Sequence, residues 1–247
     1  MTKTEGFEHF KLNSGKELFY IDDAAVSRNL KERGYKDSEE LQCIEHSDLQ
    51  QGVYEGGLKV WEGASDLCNF IDTYSDEAVC AGKSVLEVGC GAALPTILAL
   101  QKGAKNAVVQ DFNKSVIECF TKDNFGLNNV PMNKCKFYFG DWKNFQEELA
   151  GHRFDIIFSS ETIYNEQLYE RFHGLLDAAL KPNGMILIAA KSYYFGVGGS
   201  VPSFISFVKD KGKFNPLIVW SSNSTIPRKI IQLTRNNLSD DLFAPSN

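Results

Sequence analysis

The run VLEVGCGAALPT, residues 85–96, constrains the fold more than any other stretch of this chain. It reads as a buried apolar strand that breaks at Gly89 and Gly91 and enters a helix with Pro95 in its first turn, where a fixed φ and a missing N–H cost nothing. Gly103 stands where that helix should stop. The same alternation recurs downstream: SVLEV, NAVVQ, KCKFYF, FDIIFSS and MILIAA are strand-like runs separated by helical segments. Repeated strand–helix units specify an α/β domain, a mainly parallel sheet covered by helices on both faces. Lys181-Pro182-Asn183-Gly184 closes a helix expected over 167–180, a further helix is expected near 202–210, and FNPLIVW and KIIQLT are two more strand candidates. Upstream, Val60, Ala64, Leu67, Ile71 and Tyr74 recur every three or four residues, the stripe of an amphipathic helix on a core. The domain is therefore expected over residues 51–247. Residues 1–50 show no sustained period and are expected as an extension that lies on the domain or frays.

A length of 247 residues suits one large domain. The net charge of -6 argues against a sequence-independent grip on nucleic-acid phosphates, though it suits a basic protein partner. The six cysteines are scattered, with no CxxC pair and no short Cys/His spacing, so buried thiols and no metal are expected. His9, His46, His152 and His173 form no cluster in the sequence either. The amino-terminal residues lack an apolar signal core, and no stretch has the length to span a bilayer. A monomeric chain of the cytosol, with the nucleus left open, is the expectation.

A glycine turn after a strand is common in sheets that bind nothing, so the flanking residues decide its meaning. Asp111 ends the second strand twenty positions after Gly91, where a carboxylate accepts hydrogen bonds from both hydroxyls of a ribose. A dinucleotide site wants a third glycine at position 94 to bring a helix N-terminus onto a pyrophosphate; here Leu94 and Pro95 follow instead. The cofactor expected is therefore S-adenosylmethionine, leaving as S-adenosylhomocysteine. Gly89, Cys90 and Gly91 would form the turn beneath it, and Glu87 would take its ammonium directly or through water. Asp141 would accept from the adenine amino group, or cap a turn, while Trp142 stacks on the ring. Trp61 is either a further wall of the pocket or plain core.

Joined together, residues 47–235 closely resemble the seven-strand, Rossmann-like class I methyltransferases, and within them the protein-histidine N-methyltransferases of the methyltransferase-like group. The resemblance is carried by GVYEGGLKVWEG (52–63), VLEVGCG (85–91), QDFN (110–113), SSETIYN (159–165) and KSYYFGVGG (191–199). It implies a seven-stranded sheet and methyl transfer to the remote ring nitrogen of a histidine in a large-subunit ribosomal protein. It also implies a cofactor pocket lined by Trp61, Gly89, Gly91, Asp111, Phe112, Asn113, Trp142 and Ser159. Residues 1–46 depart from the family's pattern.

SSETIYN follows the fourth strand, and residues just past strand carboxyl ends face the ligand crevice of an open sheet. Glu161 and Tyr164 form an acid-x-x-aromatic pair, without the Asn-Pro-Pro-aromatic clamp of enzymes that act on planar amino groups. A histidine acceptor has a side-chain pKa of about 6.5, so a ring lone pair is already free near neutrality and the enzyme mainly fixes the tautomer. Glu161 is expected to accept the second ring nitrogen's proton, with Tyr164 and Asn165 positioning the ring; alternatively Glu161 caps a helix or lines the cofactor's amino-acid end. The aromatic–glycine loop Tyr193–Gly199 either wraps an acceptor peptide or forms a tight turn. Lysine on a translation factor or chaperone is the rival acceptor, and a catalytically silent binding module with the same fold is the rival of another class.

Overall fold

The computed structural model describes residues 6–35, 50–74 and 77–236. Cys43 and His46 therefore lie outside the described residues. The central sheet has seven strands in the order β5-β4-β3-β6-β7-β9-β8. Strands β3 (Ser84–Val88), β4 (Asn106–Asp111), β5 (Cys135–Phe139), β6 (Phe154–Ser160) and β7 (Leu180–Lys191) run parallel, and β9 (Arg228–Arg235) pairs antiparallel with both β7 and β8 (Phe214–Ser221). From β3 the chain winds outward to β4 and β5, then crosses back to β6 on the other side of β3. That reversal opens a crevice beyond the carboxyl ends of β3 and β6, the place where doubly wound sheets bind ligands.

All five residues of β3 are buried, as a strand covered on both faces requires. Its helix, α3 (Leu94–Gln101), is preceded by Ala93 in a left-handed conformation and followed by Gly103 at φ 90°. The stripe upstream forms α2 (Glu62–Tyr74), with Leu67 and Ile71 in the core and Val60 just ahead of the helix. One difference lies at Lys181-Pro182-Asn183-Gly184. The preceding helix, α6 (Tyr169–Ala179), passes straight into β7, and these four residues bulge where the register slips between Phe154 and Ile156. The ammonium of Lys181 stands 2.9 Å from Asp155, which helps hold that carboxyl down at about 2.

The amino-terminal region is more structured than its irregular apolar pattern suggests. A hairpin, β1 (Phe7–Lys11) and β2 (Glu17–Ile21), leads into α1 (Asp23–Glu32), capped by the Asp22 carboxylate on the Ala25 N–H. Leu12, Leu18, Ile21, Ala25, Val26 and Leu30 are buried in the same core as β3 and α3. Their neighbour is a helix, α4, that runs Lys114–Val116, makes a π-turn over Ile117–Thr121 and continues Lys122–Leu127. A π-turn leaves backbone carbonyls without their usual partners. Here α1 supplies them: Asn29 Nδ2 donates to Cys119 O at 3.0 Å and the Arg33 guanidinium donates to Glu118 O. Asn128 pairs with both backbone groups of Phe19, like an extra strand residue, and Asn124 accepts from the Ile21 N–H.

Candidate active site

The crevice is a cavity of about 660 Å³, within the range of small-ligand sites. Its floor on one side is the glycine turn. Gly89 and Gly91 have φ of 64° and 48°, which side chains rarely adopt, and the Gly91 N–H donates 2.9 Å to Asp111 Oδ2. Two carbonyls of the turn are tied from behind by α4, Gly91 O by the Thr121 hydroxyl at 2.6 Å and Ala92 O by Asn124 Nδ2 at 3.2 Å. The hairpin, α1 and α4 thus form a continuous brace behind the turn.

Asp111 is buried at the end of β4 yet borders the cavity. Burial pushes its carboxyl up to about 6, against the pull of the Gly91, Asn113 and Phe112 N–H groups. Trp61, Gly89, Cys90, Gly91, Phe112, Asp141 and Trp142 line the same cavity. The Trp142 ring is fixed by its N–H on Gln110 Oε1 at 3.1 Å and by packing 4.9 Å from Phe172. Asp141 caps the helix α5 (Trp142–Glu148) through the Lys143 N–H, pairs with Arg171 and still borders the cavity. Trp61 donates to Gly56 O, and the ammonium groups of Lys59 and Lys191 lie 4.9 and 5.4 Å from its ring centre.

Four expected residues have other places. Glu87 is fully buried beneath α3, where Oε2 accepts the Thr96 N–H at 2.9 Å; it does not line the cavity, because a helix N-terminus offers a donor and a favourable dipole closer by. Its Oε1 has no hydrogen-bond partner among the described residues, and burial lifts the carboxyl to about 8. Asn113 is buried and holds the segment before Trp61, accepting from the Glu55 N–H and donating to Val53 O. Ser159 donates to Val88 O, locking β6 to β3. Asn165 turns from the cavity to cap the 3-10 turn Glu166–Leu168 through the Gln167 N–H.

The other end of the cavity holds the acid-x-x-aromatic pair together with two residues that the motif alone did not reveal. Glu161 has a left-handed backbone, φ 56°, rare for a non-glycine residue. Its Oε1 accepts the Gly63 N–H at 3.1 Å, and a β-carbon at Gly63 would lie 2.5 Å from that oxygen. Its Oε2 accepts the Tyr194 hydroxyl. Tyr164 donates its hydroxyl to Glu55, and the two tyrosine rings meet edge to face at 6.4 Å. Burial pushes the Glu161 carboxyl up, and it raises both tyrosines well above the ordinary range, so both remain proton donors.

Gly199 fixes the loop that brings Tyr194 here. Its N–H donates to Tyr164 O at 2.8 Å, and a β-carbon there would fall 2.2 Å from Ile163 O. Beyond this clamp the loop exposes apolar side chains at the mouth: Phe195 is 82% exposed and Tyr193 55%, joined across the opening by Ile226 at 41%.

Gln110 is a site residue that the glycine-turn pattern does not single out: buried near the end of β4, it accepts the Trp142 N–H and donates to Gly140 O at 2.7 Å. A polar residue straight after the apolar run Ala107-Val108-Val109 is the signal that marks it. Glu55 lies in the run GVYEGGLKVWEG, where nothing local marks it as the partner of Tyr164. Among the described residues no cluster of three His, Cys, Asp or Glu side chains stands ready to hold a metal ion.

The sheet order and the cavity at its strand ends define the class: a Rossmann-like, class I methyltransferase fold. SMU.776, described as a putative methyltransferase complexed with SAH, superposes with a TM-score of 0.60 at 14% identity, covering 94% of this chain and 57% of its own. A family model described as lysine methyltransferase matches residues 36–195. The chain is 39% identical to the histidine protein methyltransferase 1 homolog of Dictyostelium discoideum, over 70% of this chain and 55% of that protein. It is 31% identical to histidine protein methyltransferase 1 of Schizosaccharomyces pombe, over 81% of this chain and 69% of that protein. The chain belongs to this methyltransferase family. It spans somewhat more than half the length of the first curated relatives it matches, at 55% and 58%.

Proposed function

We propose that this chain is an S-adenosylmethionine-dependent protein N-methyltransferase that modifies the remote ring nitrogen of a histidine. The cavity supports the donor assignment: glycines line one end, and Asp111 has acceptor capacity left after the Gly91 and Asn113 N–H bonds, suited to ribose hydroxyls. Gly89, Gly91, Asp111, Phe112 and Trp142 would hold the donor, with Trp142 against the adenine. Bound there, S-adenosylmethionine supplies an electrophilic methyl on a sulfonium and departs as neutral S-adenosylhomocysteine.

The observation that carries the acceptor assignment is the half-buried Glu161 carboxylate, held by Gly63 and Tyr194 and bordering the cavity. Glu161 accepts a hydrogen bond from one N–H of a neutral imidazole and so selects the tautomer whose other nitrogen carries the free lone pair. As that lone pair forms the new N–C bond, positive charge develops on the ring and the carboxylate stabilises it. The raised proton affinity of Glu161 suits it to take the ring proton afterwards. Exposed Tyr193, Phe195 and Ile226 fit a protein segment as the carrier of that histidine. The resemblance of GVYEGG, SSETIYN and YYFGVGG extends the reading to a large-subunit ribosomal protein as substrate, in the cytosol or nucleus.

The family model's description favours a second reading, lysine as acceptor. Both readings are tested by incubating the chain with labelled S-adenosylmethionine and ribosomal or cytosolic fractions, then locating the methyl by mass spectrometry. Histidine in a large-subunit protein is expected. Label confined to lysine would replace this reading with the second.

A further inference from the structure

Tyr194 is fixed on every side. Its hydroxyl donates to Glu161 Oε2 and accepts the Lys191 N–H at 3.2 Å, so both its proton and a lone pair are committed. Its backbone N–H is bound by Gly199 O at 3.0 Å, and Gly199 is bound in turn to Tyr164 O. Its ring packs edge to face on Tyr164. The phenol is half-buried and borders the cavity. The strain of the left-handed backbone at Glu161, of a kind that collects at functional sites, sits at the other end of the same hydrogen bond.

We propose that Tyr194 is a positioning residue: by donating to Oε2 it holds the Glu161 carboxylate facing the acceptor's ring N–H. This rests on the reading of Glu161 given above. The charged and titratable groups acting on Glu161 come from four elements. They are Tyr194 on the loop, Lys191 at the end of β7, Glu62 on α2 and Arg228 on β9. Lys191 and Arg228 favour the ionised form, whereas Glu62 and burial oppose it. The Tyr194 hydrogen bond acts on the side of ionisation, so its loss raises the proton affinity of Glu161 further.

Tyr194→Phe keeps the ring and removes only the hydroxyl. The expected result is a kcat lower by about 10- to 100-fold, the range for a lost hydrogen bond to a charged group. S-adenosylhomocysteine affinity should stay within about twofold, since the change lies outside the donor's end of the cavity. The acid limb of the kcat/KM profile should move to higher pH, because more alkali is needed to ionise Glu161. A second measurement needs no turnover: carboxyl-13C glutamate titration of the full chain saturated with S-adenosylhomocysteine, with Glu161 assigned by its absence in Glu161→Gln. A higher Glu161 midpoint in Tyr194→Phe is expected. Identical midpoints in the two proteins, or cofactor affinity falling in step with kcat, would overturn the proposal. Whether the label lands on histidine or lysine reports on the functional reading alone, and leaves the Tyr194 comparison standing.

Discussion

One cavity has two ends built from different materials. Around the glycine turn the polar work is done by backbone N–H groups and neutral amides: Gln110 on Trp142, Asn113 on Val53 and Glu55, Asn124 on Ala92. Among the described residues the carboxylates at that end are Asp111, which is buried, and Asp141, which pairs with Arg171 at the cavity's border. At the other end the polar groups are titratable and paired, Glu55 with Tyr164 and Glu161 with Tyr194. Neutral amides keep their hydrogen bonds at any ordinary pH, which suits a cradle that must keep its shape. Paired acids and phenols change state with protons, which suits the place where a proton must move.

The difference predicts separable losses. The largest is Glu161→Gln: turnover should fall by about 100-fold or more, as when a general base is removed, while calorimetry finds S-adenosylhomocysteine affinity nearly unchanged. Next is Asp111→Asn, which should weaken that affinity by about 10- to 100-fold through loss of charged hydrogen bonds to the ligand. A parallel loss of affinity in both variants would erase the distinction between the two ends. Gly199→Ala tests the clamp: its β-carbon would lie 2.2 Å from Ile163 O, so the loop must shift. Turnover should drop with cofactor affinity retained.

The two ends also differed in how far the sequence revealed them. Gly89, Gly91, Asp111 and Trp142 were legible because the strand–turn–helix pattern places them, and the sheet puts them on the cavity. Glu87 shows what that pattern does not carry: it says which strand end holds an acid, but the side chain's direction follows from the Thr96 N–H on α3. Glu55 and Tyr194 come from segments far apart in the chain, and only the folded loops bring them to Tyr164 and Glu161. In the amino-terminal region α1 hid its period because Asn29 and Arg33, facing the π-turn carbonyls, interrupt the apolar stripe with polar side chains that are nonetheless engaged.

Smaller effects sharpen the picture of the brace. Burial raises Glu87 to about 8, so its folded-state pKa lies above the unfolded value. The stability it contributes is full below about pH 4.5 and is lost as pH rises towards 8. Glu87→Gln should therefore gain in melting temperature relative to the parent as pH goes from 5 to 8, by about 2–4 °C for each kcal/mol. A constant difference across that range would mean Glu87 does not titrate there. Asn29→Ala, which strips one donor from the π-turn carbonyls, should cost about 1 kcal/mol of stability in denaturant unfolding. It should weaken S-adenosylhomocysteine only slightly, because Arg33, Thr121 and Asn124 still hold α4 and the turn.

The most direct test of the central claim, that this crevice is built for a methyl donor, is a calorimetric titration of the chain with S-adenosylhomocysteine and, separately, with NAD. One-to-one binding of S-adenosylhomocysteine, weakened about 10- to 100-fold in Asp111→Asn, with no heat from NAD, is the predicted result. Binding of NAD alone, or of neither ligand, would contradict it.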